Sequence, residues 1–237
     1  MSTSTKRAAT NGEALPEGSV ISKSVTIQPV RFQRATFNLV ALADTPLVIH
    51  RFSAKTKIEM RQKMEQGKSA SSRKNREAKD TNASFNESRY ISRDGWDGFH
   101  AGSLRKALIS ACRLVNFKMV LAKLSVFVEA DGVDALEPQI PLVRIRDCEP
   151  VKQEDMARVE TGQPYVTIRS AYHSWTARPT IRWDSDQFTL TDITNLLSRV
   201  GQQVGIGEGR PDSKNSAGMG WGLFTIEHAN GEKDAKN

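Results

Sequence analysis

From Arg34 the chain alternates. Ala35, Phe37, Leu39 and Ala41 share one face of an extended segment, and Val40 and Leu42 make the second face partly apolar, which predicts a strand from about Arg34 to Leu42. Asp44-Thr45-Pro46 breaks it, and Leu47 to Ile49 predicts a short second strand ending at His50. At Ser53 the period changes. Ile58, Met60 and Met64 form a thin apolar stripe on the charged segment AKTKIEMRQKMEQGK, with Ser53 as N-cap and Gly67 as stop, which predicts a surface helix with little to bury. Residues 68–86, KSASSRKNREAKDTNASFN, carry almost no apolar side chains, so a mobile loop is expected there. A loop of that length inside a compact domain is usually functional or disordered.

Asp94-Gly95 and Asp97-Gly98 predict turns. Leu104, Ala107, Leu108, Ala111 and Val115 then give a helical stripe capped near Gly102 or Ser103. KLSVFVE predicts a strand at about Lys123 to Glu129, closed by Asp131-Gly132; PLVRIRD alternates and reads as extended, while EPVKQEDMARV has no clear period. Two further extended runs are expected at about Tyr165 to Tyr172 and Ala177 to Trp183. The clearest helix follows: Thr189 or Thr191 caps it, and Ile193, Leu196, Leu197, Val200 and Val204 form one stripe. A glycine-rich stretch leads into a last strand, GLFTIE. With the insertions set aside, the order is β-α-β-β-α-β, that of a ferredoxin-like or RRM-type unit. The expected fold class is therefore α+β: an antiparallel sheet with two helices on one face, a basic insertion, and a C-terminal glycine-rich loop.

The 237 residues suit one domain, and no apolar run approaches the ~20 residues of a membrane-spanning helix. The polar start, MSTSTKRAATNGEALPEGS, lacks the apolar core of a secretory signal. Tails are expected at residues 1–24 and 229–237, around a single domain at 25–228 with an insertion at about 53–93. Cys112 and Cys148 stand apart without a partner motif and read as reduced thiols, so a cytoplasmic location is expected, the bacterial host's cytoplasm if the protein is phage-encoded. The formal charge of +7 is concentrated: between Arg51 and Arg93 twelve Lys or Arg face five Asp or Glu, an excess equal to that of the whole chain. Such a stretch points to a polyanionic partner, against the plainer reading of a solvated helix and loop that keep the protein soluble.

Between Val204 and Ile226 lie six of the sixteen glycines. Gly205 fits a helix C-cap. Gly218, Gly220 and Gly222 are two apart, so in an extended stretch all three face one side and leave a strip of bare backbone for another chain segment or a phosphodiester chain. A nucleotide-cofactor loop is not indicated, because GxGxxG needs a strand before it and a helix after it, and no GxxxxGK[ST] occurs. No cofactor or metal is expected.

The pattern GxGxxR at Gly205 to Arg210, then GxGxG at Gly218 to Gly222 before an apolar strand, resembles the signature loop of the RAMP superfamily, RNA-binding proteins of CRISPR systems. TPLVIHRFS, REAKD, GFHAGSLRKALISACRL and GIGEGRP, in that order, also resemble a family of small bacteriophage and prophage proteins. The resemblance spans about Arg34 to Ile226. It implies an RRM-like palm whose basic insertion folds over a single strand and which polymerises along it. The nucleic-acid-binding residues would be Arg51, Lys55, Lys68, Arg73, Lys74, Arg76 and Lys79 from the insertion, Arg105 and Lys106 from the palm, and Gly207, Arg210, Lys214, Gly218, Gly220, Trp221 and Gly222 from the loop.

None of His50, His100, His173 and His228 belongs to a close metal-ligand pair. Some RAMP members are endoribonucleases that use a histidine, a role that would fall to His50 or His100; an ordinary polar role is the plainer reading, and no catalysis is expected. Asp94, Asp97 and Asp131 each precede a glycine in expected turns, which accounts for them without a metal. Tyr172, His173, Trp175, Trp183 and Trp221 could stack on bases, with core packing as the alternative; Trp183 is expected in the core and Trp221 at the ligand. The expected function is binding of single-stranded nucleic acid, DNA rather than RNA, with little sequence specificity, as a homo-oligomer, in phage replication or recombination or in a CRISPR-like complex. The alternatives are a RAMP-type endoribonuclease and a phage protein that grips a host protein through its basic segment.

Overall fold

The computed structural model describes residues 29–43, 45–51, 54–66, 80–158, 164–213 and 218–227. The alternation at the start of the chain forms β1 (Phe32–Thr36) and β2 (Asn38–Ala41), one line of strand kinked at Phe37, with Phe37 and Leu39 buried. The partner line is broken at the matching place. β11 (Thr176–Ala177) and β12 (Thr180–Asp184) flank Arg178-Pro179, where proline offers no N–H to a ladder, and the Pro179 carbonyl instead accepts the Phe37 N–H at 3.1 Å. β1 runs antiparallel to β12 and β2 to β11. β13 (Phe224–Glu227) lies on the other side of β2, and β6 (Val126–Glu129) on the other side of β12.

Beyond β11 the sheet continues through β8 (Pro141–Arg146) to β5 (Asp97–His100) and β4 (Tyr90–Ile91), with β7 (Gly132–Val133) also on β8. A third sheet orders β3 (Leu47–Ile49), β10 (Pro164–Tyr172) and β9 (Pro150–Arg158). Every strand pair among the described residues is antiparallel. The protein is thus α+β.

Two helices close the core. α3 (Ala101–Ala111) buries Leu104, Ala107, Leu108 and Ala111, as its stripe predicts. α5 (Leu190–Arg199) begins with a capping box, the Thr189 hydroxyl and the Asp192 carboxylate each taking the other residue's backbone N–H. It buries Ile193, Leu196 and Leu197, each contributing roughly 1.5–3 kcal/mol. A π-helical turn, Val200–Val204, extends it, and Gly201 lets that turn lie on β13: a β-carbon there would stand 2.2 Å from the Phe224 carbonyl oxygen. Trp175, Trp183 and Tyr172 are fully buried, so the first and third are packing residues and not stacking platforms.

Five local expectations are corrected. Residues 80–86 are not loop: α2 (Thr81–Ser88) starts at Asp80, whose carboxylate accepts the N–H of Asn82 and Ala83, and packs on β10. Its polar sequence has no stripe because only Ser88 is buried. Asp97-Gly98 is strand, since Arg89 grips Asp97 through both carboxylate oxygens (2.9 and 2.6 Å) and a β-carbon on Gly98 would meet the Val143 carbonyl at 2.8 Å. Lys123 to Ser125 end a helix, α4 (Met119–Ser125), before β6 begins. The N-cap of α3 is His100, whose Nδ1 accepts the Gly102 N–H at 2.8 Å, and Val115 lies exposed in a 3₁₀ turn, Cys112–Val115, outside the buried stripe. EPVKQEDMARV is largely β9. α1 (Ala54–Gln66) has the expected character, with Ile58, Met60 and Met64 exposed. The expected tails, the loop at 68–79, the Ser53 cap and the Gly67 stop lie outside the described residues.

Candidate functional site

The two glycine runs fold onto each other instead of forming a strand with a bare side. Gly205, Gly207, Gly209, Gly218, Gly220 and Gly222 all have φ between 65° and 78°, where a side chain is strained. Gly205 ends the π-helical turn by donating its N–H to the Val200 carbonyl at 2.7 Å. The Ile206 N–H then bonds the Gly222 carbonyl (3.0 Å), the Gly222 N–H the Pro46 carbonyl (2.8 Å), and the Met219 N–H the Gly209 carbonyl (2.7 Å). Glu208 bridges Val48 of β3. The bare backbone therefore seats another part of this chain. A β-carbon on Gly207 would meet the Val48 carbonyl at 2.5 Å, and one on Gly218 the Arg210 carbonyl at 2.1 Å; only Gly220 of the second run faces open space.

This folded loop forms one wall of a cleft of about 650 Å³. The other walls are the end of β3 with His50, the first turns of α3 with Gly102, Ser103 and Lys106, and Lys123 of α4. Lys106 and Lys123 are exposed, and Arg210 is held over the loop by donating from Nη1 to the Gly207 carbonyl at 2.8 Å. The carboxylates on the walls are Glu208 and Asp212. Asp212 is already engaged: Ser110 bonds it and Arg113 donates to it at 2.6 Å, which holds its carboxyl below the usual carboxylate range. The start of α3 adds the positive end of a helix dipole. His100, partly buried and near Lys106, has its proton affinity lowered by burial first and by that lysine second, and its Nδ1 accepts the Gly102 N–H. The cleft is suited to an anion by its lysines, Arg210 and helix start.

Of the residues expected to bind nucleic acid, Lys106, Gly207 and Arg210 come together in this cleft, as do both candidate histidines. Arg51 is turned inward instead. It is 9% exposed and donates to Asp134 at 3.3 Å and to Glu137 at 2.8 Å, so its charge is spent inside the fold. Lys57 joins the same Glu137; the Lys57 bond first, and Arg51 after it, hold that carboxyl below its ordinary range. Arg105 leaves the cleft for the edge of β6, where its Nε donates to the Val126 carbonyl at 2.8 Å. Trp221 is half-buried with its ring against Gly209; Gly218 and Gly222 belong to the loop's interior packing. The Lys55 side chain and Lys68, Arg73, Lys74, Arg76, Lys79 and Lys214 lie outside the described residues. Lys123, Glu208 and Asp212 escape sequence reasoning, because the end of α4 reads as strand and the acids of the loop form no motif.

Cys112 and Cys148 are unpaired, and burial raises both thiols, Cys148 to about 11. Among the described residues no three His, Cys, Asp or Glu come together as a metal site, and no helix is long and apolar enough to cross a membrane. No protein-family model matches the chain, and no curated protein matches it as a relative.

Proposed function

We propose that the protein binds single-stranded nucleic acid with little sequence specificity, and that the cleft between α3, β3 and the glycine-rich loop holds its phosphates. The observation that carries the reading is the convergence of Lys106, Lys123 and Arg210 around the start of α3, three cations against two acids of the walls, Glu208 and Asp212, the second of which is balanced by Arg113. Lysine, arginine and helix N-termini are the usual partners of phosphate oxygens. The strand order supports a ferredoxin-like, RAMP-type unit: β13, β1/β2, β11/β12 and β6 lie side by side, with α3 between the first and second strands in sequence and α5 between the last two. The twelve basic residues between Arg51 and Arg93 supply further charge, less Arg51, Lys57 and Arg89, which pair with acids of the fold. Val120, Leu121 and Leu124, exposed together on α4, favour assembly in several copies along a strand. The ligand of the reading is single-stranded DNA, and the setting phage replication or recombination or a CRISPR-like complex. The test is a titration of labelled single-stranded DNA across a salt series. Lys106→Ala and Lys123→Ala should each weaken binding and lower the slope of log K against log salt by about 1; unchanged slopes in both would remove the cleft from the reading.

A second reading, a RAMP-type endoribonuclease, is favoured by one observation: His50 and His100 line the same cleft. Cleavage of labelled RNA that is lost in His50→Ala and kept in Lys123→Ala would support it, and intact RNA after prolonged incubation would exclude it.

A further inference from the structure

The sheet formed by β1, β12 and β6 buries one face through Ile181, Trp183 and Val126 and turns the other to solvent. Register puts Arg34, Arg182 and Phe127 in one row across the three strands of the solvent face, with Phe32 two residues before Arg34. The Arg182 guanidinium stands 4.8 Å from the centre of the Phe32 ring and 5.2 Å from that of Phe127, and the two rings meet edge to face at 5.8 Å. Arg105 reaches round the edge of β6 to within 4.6 Å of the Phe127 ring. Phe32 is 42% exposed, and Arg34 and Arg182 are both exposed.

The contacts of Arg182 with the two rings are attractive, but the opposed arginines do not help the isolated fold. Like charges directly opposite each other on neighbouring strands destabilise a sheet, and no ion pair relieves Arg34 or Arg182 among the described residues. The acids of this face, Asp184 and Glu129, stand at its two ends, and Asp184 already accepts the Asp186 N–H. A paired cationic centre beside the exposed Phe32 ring and the half-buried Phe127 ring complements a ligand that is both anionic and planar. An unpaired nucleotide is such a ligand. A duplex hides its base faces, and an apolar protein surface would leave the arginines unneutralised.

We infer that this face is a base-stacking platform: unpaired bases lie on Phe32 and Phe127, and Arg34 and Arg182 take the flanking phosphates. The inference rests on the proposed binding of single-stranded nucleic acid and adds to it where the bases go. It makes the preference for single strands a property of the sheet, with the cleft serving the backbone.

The test compares oligothymidylate with an abasic oligodeoxynucleotide of equal length, which keeps the phosphates and lacks the bases, by fluorescence anisotropy. The wild-type protein should bind oligothymidylate about fivefold or more tighter than the abasic strand, the low end of one stacked base. Phe32→Ala should shrink that advantage to what Phe127 alone supplies and bind the abasic strand as the wild type does, while Phe32→Tyr should keep it. Equal wild-type affinity for the two strands would overturn the platform and leave the phosphate-binding cleft standing. Binding to neither strand would overturn the platform together with the reading it rests on. The wild-type comparison needs no variant, and thermal melting of Phe32→Ala checks that its fold is kept.

Discussion

A β-carbon added to Gly222 would lie 1.8 Å from the carbonyl oxygen of Ile206, so the two glycine runs are locked together backbone against backbone. Gly220, two residues earlier, has nothing within 4 Å of the same position. Both have positive φ. Gly220→Ala should therefore cost only backbone strain, on the order of 1–2 kcal/mol. Gly222→Ala adds a forced separation of the two runs and should cost about 3 kcal/mol or more. Denaturant unfolding of both variants decides it, and equal losses would contradict the packing described.

Arg51 is a structural cation. Its partner Asp134 has a side chain only 1% exposed, although the N–H groups of Leu136 and Glu137 also support that carboxylate. Removing one member of a buried pair strands the other, so Arg51→Ala should destabilise by about 3 kcal/mol. Under conditions where the variant remains folded, its salt dependence of nucleic-acid binding should match the wild type. A stable variant with a reduced salt slope would return Arg51 to the interface.

The cap of α3 should be sensitive to acid. His100 must keep Nδ1 unprotonated to accept the Gly102 N–H, and burial with nearby Lys106 lowers its proton affinity below the ordinary 6.5. The unfolded chain then takes up a proton at higher pH than the folded one, so this contribution is complete above 6.5 and is lost as the pH falls through the window beneath it. The melting temperature should drop from about pH 7.5 to about pH 5.5, and His100→Asn, which preserves the cap, should flatten that change. The same drop in His100→Asn would place the acid sensitivity elsewhere.

Charge removal in the insertion should act on binding and not on folding. Lys68, Arg73, Lys74 and Arg76 fall in the basic concentration of the sequence. Replacing all four by Ala should weaken binding to single-stranded DNA and flatten its salt dependence, by up to about one unit of slope for each phosphate no longer neutralised. An unchanged slope with unchanged melting would leave the stretch to solubility or a protein partner.

Where one face of an element is buried, the residues alone reveal it: Ala35, Phe37 and Leu39 in the first strand line and Ile193, Leu196, Leu197 and Val200 at α5 carry their period openly because each buries against the same core. α2 leaves no such trace, since a polar helix laid on β10 buries only Ser88. α4 runs straight into β6, so the apolar Val126 to Val128 obscures the helix end. The glycine spacing is visible, but its meaning depends on φ: extended backbone would expose a strip, whereas positive φ curls the chain onto Ile206 and Arg210. Likewise charge can be counted along the sequence but not assigned. Arg51 and Lys106 look alike there, and only the buried carboxylates near Arg51 separate an interior cation from one at the cleft.

The most direct test of the central claim is the affinity of the intact protein for labelled single-stranded DNA, single-stranded RNA and duplex DNA of one length at two salt concentrations. The account predicts tight, salt-sensitive binding to a single strand, DNA before RNA, with duplex DNA weaker at both salts. Absence of binding to any of the three at low salt, or a duplex bound as tightly as the single strands, would contradict it.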